Sequence, residues 1–320
     1  MKNRIISWLK SLWGSALYYY SRRLYNKDPR LAADVVFKRV YGRPMNLDNP
    51  KHLIEKITWL QFHTDTSLWT LCADKYRVRE YVEKCGLGER LPKLYGHWEK
   101  LEDVNFEGLP AQFVIKANNG CGSVKIVKDK SQSDLALMKK TMRKWLKRPF
   151  GYVAAQTHYL RIKPCILAEE LLPNIGPQAS ISPSSLVDYK IWCFNGRPEC
   201  CIVTFDRGKF TSGGKLKMDI YDTRWNRIDN VISSNRHYER CPEIMVPRPK
   251  CWDEMLKIAE TLSRPFPEVR VDLYDIGGEP VIGELTFSSG YGYLTEDYYN
   301  YLGSKIDIEE LKKRELNGAR

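Results

Sequence analysis

The stretch Phe113-Val-Ile-Lys-Ala-Asn-Asn-Gly-Cys-Gly-Ser-Val-Lys-Ile-Val127 decides how this chain is read. A β-favouring run ends in Lys116, a loop carries Gly120 and Gly122, and a second β-favouring run follows. Glycines at a hairpin tip allow the left-handed backbone that aims successive amides at one point. A lysine closing the first strand sets a positive charge beside them. Such a hairpin is suited to covering a polyphosphate. It is not a Walker A loop, because the glycine spacing differs and a strand follows where that loop needs a helix. On this window alone an ordinary glycine hairpin is an equally open reading.

A second window, Val269-Arg-Val-Asp-Leu-Tyr-Asp-Ile-Gly-Gly-Glu-Pro-Val-Ile-Gly-Glu-Leu-Thr-Phe287, runs as two β-favouring segments about a turn at Gly277-Gly278. Asp272 and Glu284 interrupt otherwise apolar strands, where an unpaired carboxylate is costly; that weighs against a merely solvated acidic hairpin. Their even separation and the turn between them are expected to bring both to one side. Two hard carboxylate oxygens beside substrate phosphates are what Mg²⁺ prefers. Arg270, two residues before Asp272, shares its face and suits the same phosphates.

Together the two windows resemble the ATP-grasp superfamily, and within it the TupA-like branch associated with bacterial surface polysaccharide and teichuronopeptide biosynthesis. The resemblance runs over roughly residues 50 to 295 in an ordered set of motifs. Ala73-Asp-Lys-Tyr-Arg-Val-Arg-Glu-Tyr-Val82 is similar to the family's Asp-Lys helix start, which implies that Lys75 contacts ATP phosphate. The Val-Ile-Lys strand and Asn118-Asn-Gly-Cys-Gly-Ser123 resemble the nucleotide-covering loop, implying Lys116, Asn119, Gly120, Gly122 and Ser123 at ATP. Ile166-Leu-Ala-Glu-Glu-Leu-Leu172 resembles the interlobe hinge that reads adenine through its backbone, Leu171 included, and takes the ribose on Glu169 or Glu170. The last window supplies Asp272 and Glu284 as implied Mg²⁺ ligands and Arg270 as the phosphate-facing catalytic arginine, with Lys116 its catalytic partner. The family's metal strand usually reads Glu-x-Asn; here it is Glu284-Leu285-Thr286, so Thr286 is the expected third ligand, with altered geometry at a second metal.

The fold expected is α+β, an ATP-grasp arrangement of two lobes holding ATP between them. Its domains are a basic amphipathic helix over 1–30, a mainly helical region over 31–110, the nucleotide and metal domain over 111–298, and a tail helix over 299–320. Helices are expected near Asp74 to Lys84, Ser133 to Leu146 and Trp252 to Ser263, with short β runs from Phe113 to Leu285. In Asp188-Tyr-Lys-Ile-Trp-Cys-Phe-Asn-Gly-Arg197, Lys190 either enters the cleft as a further phosphate contact or stays on the surface. Ser288-Ser-Gly-Tyr-Gly292 is either an anion-binding loop for the acceptor carboxylate or a plain turn. None of the five histidines lies in a main motif.

Composition bounds the partners. With 51 Lys and Arg against 39 Asp and Glu, a formal charge of +12, the 320-residue chain favours anionic partners. A composition 43% hydrophobic and 28% charged excludes a disordered or low-complexity chain. The nine cysteines form no CxxC pair or zinc spacing and are expected to be free thiols in a reducing compartment. Between Ile5 and Leu24 apolar residues including Leu9, Trp13, Ala16, Leu17 and Tyr20 recur at helical spacing among Lys2, Arg4, Lys10, Arg22, Arg23 and Lys27. That helix suits the headgroup region of an anionic membrane, or it packs on the protein body. No signal peptide or span is read, so the chain is expected to be cytoplasmic, at the inner membrane face where the helix binds lipid.

The resemblance implies an ATP- and Mg²⁺-dependent ligase that phosphorylates a carboxylate, of a uronic acid or an amino acid, and joins it to an amine as an amide. Two other readings stay open: a sugar kinase built on the same apparatus, and a glycosyltransferase, although no Asp-x-Asp occurs. Nucleic acid is not an expected partner, since the positive charge is dispersed and no recognition motif appears.

Overall fold

The computed structural model describes residues 16–207, 214–235 and 237–318. Residues 1–15, on which Ile5, Leu9 and Trp13 of the amphipathic stretch fall, lie outside the described residues. The chain opens with helices α1 (16–27), α2 (Pro29–Tyr41), α3 (Leu53–His63), α4 (Ser67–Ala73) and α5 (Val78–Lys84). Local chemistry sets their ends. Asp28 caps α2 by accepting the Arg30 amide, Pro29 takes the first turn where no N–H is needed, and Gly42 closes the helix with φ 71°. A reciprocal cap of His52 and Glu55 starts α3. The helix expected from Asp74 begins instead at Val78, because the Asp74 carboxylate accepts the Tyr76 and Arg77 amides and holds Lys75 in a turn.

Strands β1 (Leu94–Trp98), β2 (Phe113–Ala117), β3 (Val124–Val127) and β4 (Ile166–Glu169) form an antiparallel sheet in the order β1-β4-β2-β3. Helix α6 (Leu135–Lys147) covers one face, placing Met138 and Met142 one turn apart against Phe113, Ile115, Ala117 and Val127. Strand β1 lies within the stretch expected to be mainly helical; it is short, and Gly96 breaks its alternation.

After the one-turn helices α7 (Thr157–Leu160) and α8 (Gln178–Ile181) comes the larger sheet. It comprises β5 (Asp188–Phe194), β6 (Arg197–Phe205), β7 (Leu216–Asp222), β8 (Tyr238–Arg240), β9 (Glu268–Ile276) and β10 (Glu279–Thr286), in the order β10-β9-β5-β6-β7-β8. All neighbours are antiparallel except β7 and β8. Helix α9 (Trp252–Ser263) packs on β5, β6 and β9, where Val269, Val271 and Leu273 join Met255, Ala259 and Leu262 in the main core. The tail, expected as one helix over 299–320, is two: α10 (Glu296–Ser304) and α11 (Ile308–Gly318), the second started by Asp307 accepting the Glu310 amide.

The β9–β10 hairpin closes on two residues, Gly277 and Gly278, with φ of 67° and 102°, the backbone that a tight primed turn demands. In such a hairpin positions of opposite parity face each other, so uninterrupted pairing would put Asp272 opposite Gly283 and turn Glu284 to the far side. The register shifts between Ile282 and Glu284, leaving Gly283 unpaired, and Glu284 comes to face Asp272. The expectation of a shared side is met, but through the bulge: even separation alone predicts the opposite for a two-residue turn.

All nine cysteines are free; seven are buried, Cys85 is half-buried and Cys121 is exposed. Among the described residues no helix is long and apolar enough to cross a membrane.

Candidate functional site

Away from α9, the second face of the large sheet carries charge. Lys190 on β5 pairs with Asp272 on β9, which pairs with Glu284 on β10, so the three stand in one row across three strands. The next row holds Arg270 and Thr286. Alternation by two puts apolar and charged residues on opposite faces of the same strand.

Within this cluster Arg270 grips Asp272 with two bonds, Nε to Oδ1 at 2.7 Å and Nη2 to Oδ2 at 2.8 Å. It also reaches Thr286 Oγ1 at 3.2 Å and Ser289 Oγ at 3.0 Å. Lys190 Nζ lies 2.6 Å from Asp272 Oδ2, so this lysine enters the cleft. Lys75 Nζ lies 2.8 Å from Glu284 Oε2. Burial works against the Glu284 charge, but Lys75, Lys190 and Arg270 outweigh it and hold the carboxyl well below the usual range. Lys75 is held above its ordinary value by Glu284 despite burial.

Lys75 also joins the two sheets, since its backbone amide donates to Asn118 O at 3.0 Å, at the root of the glycine loop. Asn118 is fixed in turn by Lys163 O and the Cys165 amide. Within the loop Gly120 has φ 87° and lies against Phe150, which a Cβ there would strike at 2.2 Å; Gly122 has φ 78° with open space around it. Burial and then the Glu284 carboxylate push the Cys121 thiol up, against Lys75, Arg207 and Arg270.

On the small sheet, Lys116 pairs with Val124 and Leu167, and Val114 with Ile126 and Glu169, so these six residues share the face opposite α6. Lys116 is ion-paired to the buried Glu169, whose Oε1 also binds Arg79 Nη2 at 2.8 Å. Val124 and Ile126 on this face are about half exposed, at 50% and 54%, an apolar strip beside the lysine. Glu170 follows outside the strand, its amide bonded to Lys93 O, and Leu171 is half-buried beyond it. Asn119 is buried with its amide nitrogen unpartnered, and Ser123 closes the loop by accepting the Ala117 amide on its carbonyl.

Several members of the cluster escaped notice in the sequence. Asp188, two residues before Lys190 on the same strand face, binds Arg207 and accepts from Thr204 Oγ1 at 3.0 Å. Strand period marks Asp188 as a neighbour of Lys190; Arg207 and Arg79 carry no such local signal, whereas Ser289 lies in the Ser288–Gly292 stretch read as either an anion loop or a turn. Near Ser289 a small cavity opens between Ile54, Thr58 and Gln61 of α3 and Ser288, bringing the helical region to the edge of the site.

Among the described residues no three His, Cys, Asp or Glu side chains converge on a metal position. Asp272 and Glu284, with the Thr286 hydroxyl 3.5 Å from Glu284 Oε1, are hard oxygen donors that fit Mg²⁺ when phosphate and water complete its shell.

Two sheets, a glycine loop between them and a row of lysines and carboxylates define an ATP-grasp protein, and comparison with known proteins agrees. The chain belongs to the TupA-like ATPgrasp family, whose model matches residues 55–307. It is thus an ATP-grasp enzyme. No curated protein matches its sequence significantly. Among solved structures, a D-alanine–D-alanine ligase from Bacillus anthracis complexed with ATP is 18% identical, over 77% of this chain and 68% of its own, with a TM-score of 0.46. The ATP-grasp ligase PsnB complexed with a phosphomimetic variant of its minimal precursor, Mg and ADP is 13% identical, over 78% of this chain and 63% of its own, with a TM-score of 0.40. A D-alanine–D-alanine ligase from Helicobacter pylori is 12% identical, over 80% and 66%, with a TM-score of 0.39.

Proposed function

We propose that this chain is an ATP- and Mg²⁺-dependent ligase that activates a carboxylate and joins it to an amine in the synthesis of a bacterial capsule or other cell-surface polysaccharide. The single observation behind the site is Lys75, tied by its backbone to the glycine loop and by its side chain to Glu284. A polyphosphate under that loop lies directly over the charged row. In this reading Val124 and Ile126 offer an apolar seat for adenine, Glu169 or Glu170 takes the ribose, and Leu171 presents backbone. The loop from Asn119 to Ser123 covers the phosphates. Lys116, Lys75, Lys190 and Arg270 balance their charge, and Asp272, Glu284 and Thr286 would hold Mg²⁺, which supplies charge neutralisation between phosphate oxygens.

A carboxylate oxygen of the acid then attacks the γ-phosphorus and ADP leaves. The amine attacks the acyl carbon, inorganic phosphate leaves, and the amine proton passes to solvent or phosphate. In this reading the acid binds near Ser289, which Arg270 holds. A uronic acid or an amino acid is the proposed acid; its class rests on the family's association with surface polysaccharides.

Thermal unfolding of the purified chain with Mg·ATP and with Mg·UDP-sugars tests the reading, because a ligand bound only by the folded state raises its stability. A rise with ATP that Asp272→Ala abolishes is expected. A rise with UDP-sugar alone would replace the ligase with a glycosyltransferase. Hydroxylamine added during turnover separates ligase from kinase, since only an acyl phosphate yields a hydroxamate.

A further inference from the structure

Helix α1 lies on the protein by a face other than its apolar stripe. The apolar stripe of the sequence runs through Ala16, Leu17 and Tyr20, yet Leu17 and Tyr20 are 46% and 54% exposed, and Tyr19 is 63% exposed. The contacts are made instead by Tyr18 and Tyr25, whose rings meet Tyr152 edge-on at 5.7 and 5.4 Å, and by Leu24, packed with Ala32, Ala33 and Ala155. Arg148, just beyond α6, lies over the Tyr18 ring at 4.9 Å, and Arg22 over Tyr152 at 5.7 Å. These contacts lock α1 beside the end of α6.

That junction is strongly basic. From residue 16 to residue 27 there is no acidic residue, and Arg22, Arg23 and Lys27 are exposed. From Leu135 to Ala168 there is again none, while Lys139, Lys140, Arg143, Lys144, Lys147 and Arg148 are exposed. Exposed tyrosines and a leucine set among exposed lysines and arginines match the two components of an anionic bilayer surface: an interfacial layer that takes amphipathic rings, and a negative headgroup plane. Nucleic acid would account for the charge but not for the outward Leu17 beside Tyr19 and Tyr20.

We infer that α1 and the C-terminal end of α6 form one docking surface for an anionic membrane. The surface shares no residue with the Lys75–Glu284 cluster, so lipid binding and the proposed chemistry are tested by different substitutions.

The test is co-sedimentation of the full chain with vesicles of phosphatidylcholine, with and without phosphatidylglycerol, at low and at physiological salt. Binding to the anionic vesicles that weakens as salt rises is expected. A lysine at an anionic surface is worth roughly fivefold in affinity, so Lys144→Gln/Lys147→Gln is expected to lose about twenty-fivefold. Tyr19→Ser/Tyr20→Ser should also weaken binding, but with the salt dependence retained. Both variants should keep the wild-type unfolding temperature, which separates lost docking from misfolding. Equal binding to neutral and anionic vesicles, no binding to either, unchanged binding by the lysine variant, or release from vesicles by duplex DNA at equal phosphate concentration would each overturn the inference.

Discussion

Asp272 and Glu284 face each other across β9 and β10 because Gly283 stands unpaired between Ile282 and Glu284. A Cβ on Gly283 would come within 2.9 Å of the Tyr274 ring and 3.1 Å of the Asp272 carbonyl. Gly283→Val should therefore push the two strands apart at the carboxylates themselves. The expected cost is about 1–3 kcal/mol of stability, as for overpacking, together with a loss of the stabilisation that Mg·ATP gives. Chemical denaturation with and without nucleotide reads both. Unaltered nucleotide stabilisation would show that the bulge does not serve the carboxylate pair.

Lys116 and Lys75 should differ in what they cost. Glu169 keeps Arg79 at 2.8 Å when Lys116 is removed, so Lys116→Ala should fold with near wild-type stability. If Lys116 touches phosphate, the lost charged contact weakens Mg·ATP binding roughly 10- to 100-fold. Lys75→Met leaves Glu284 with Arg270 at 3.9 Å and should lose stability as well as affinity. Calorimetric titration of both variants decides; equal affinity of Lys116→Ala and wild type would remove Lys116 from the nucleotide site.

Much of this site is legible because its parts lie in short segments with local periodicity. Lys116, the loop glycines, Arg270 and Asp272 each stand at a strand end, a turn or alternate positions of one strand, and such spacings are set by the backbone alone. Partners that depend on sheet order are not. Arg79 meets Glu169 because α5 packs near β4, and Arg207 meets Asp188 across β5 and β6, facts of tertiary register. Strand β7 alternates Leu216, Met218 and Ile220 with Lys217 and Asp219, a strand period that went unused. The face by which α1 packs is not legible for a different reason. Edge-to-face contacts of Tyr18 and Tyr25 with Tyr152, and the Arg148 guanidinium over Tyr18, hold α1 by its other face, and hydrophobic periodicity does not register such contacts.

Glu268 should make stability fall as pH rises. Its side chain is fully buried, accepts from Trp192 Nε1 at 2.6 Å and has its second oxygen unpartnered. Burial pushes its pKa up to about 8 from 4.5, against smaller opposing effects of Trp192 and Arg270. Between those values the carboxyl is protonated when folded and ionised when unfolded, so unfolding releases a proton and stability declines with pH across that window. Glu268→Gln keeps an acceptor for Trp192 without titrating. Its advantage over wild type in denaturant unfolding should grow from pH 5 to pH 8 and level off above. A difference constant across that range would mean that Glu268 is ionised in the fold.

Cys121 reports on the glycine loop directly. It sits between Gly120 and Gly122 and is exposed, whereas seven other cysteines are buried and Cys85 is half-buried. Partial burial of its sulfur and the nearby Glu284 carboxylate raise its pKa, so alkylation is best followed at about pH 8.5, where more thiolate forms. One fast-reacting thiol is expected, absent in Cys121→Ser. A loop drawn down over bound phosphates should bury that sulfur, so saturating Mg·ATP is expected to slow the reaction at least about tenfold, in step with an opening free energy of 1.4 kcal/mol or more. The same nucleotide should leave the rate unchanged in Asp272→Ala, which lacks a ligand of the proposed Mg²⁺ site. Peptide mapping of the alkylated residue, with and without nucleotide, checks both arms. Equal rates with and without Mg·ATP in the wild-type chain would show that the loop from Asn119 to Ser123 does not close over the nucleotide.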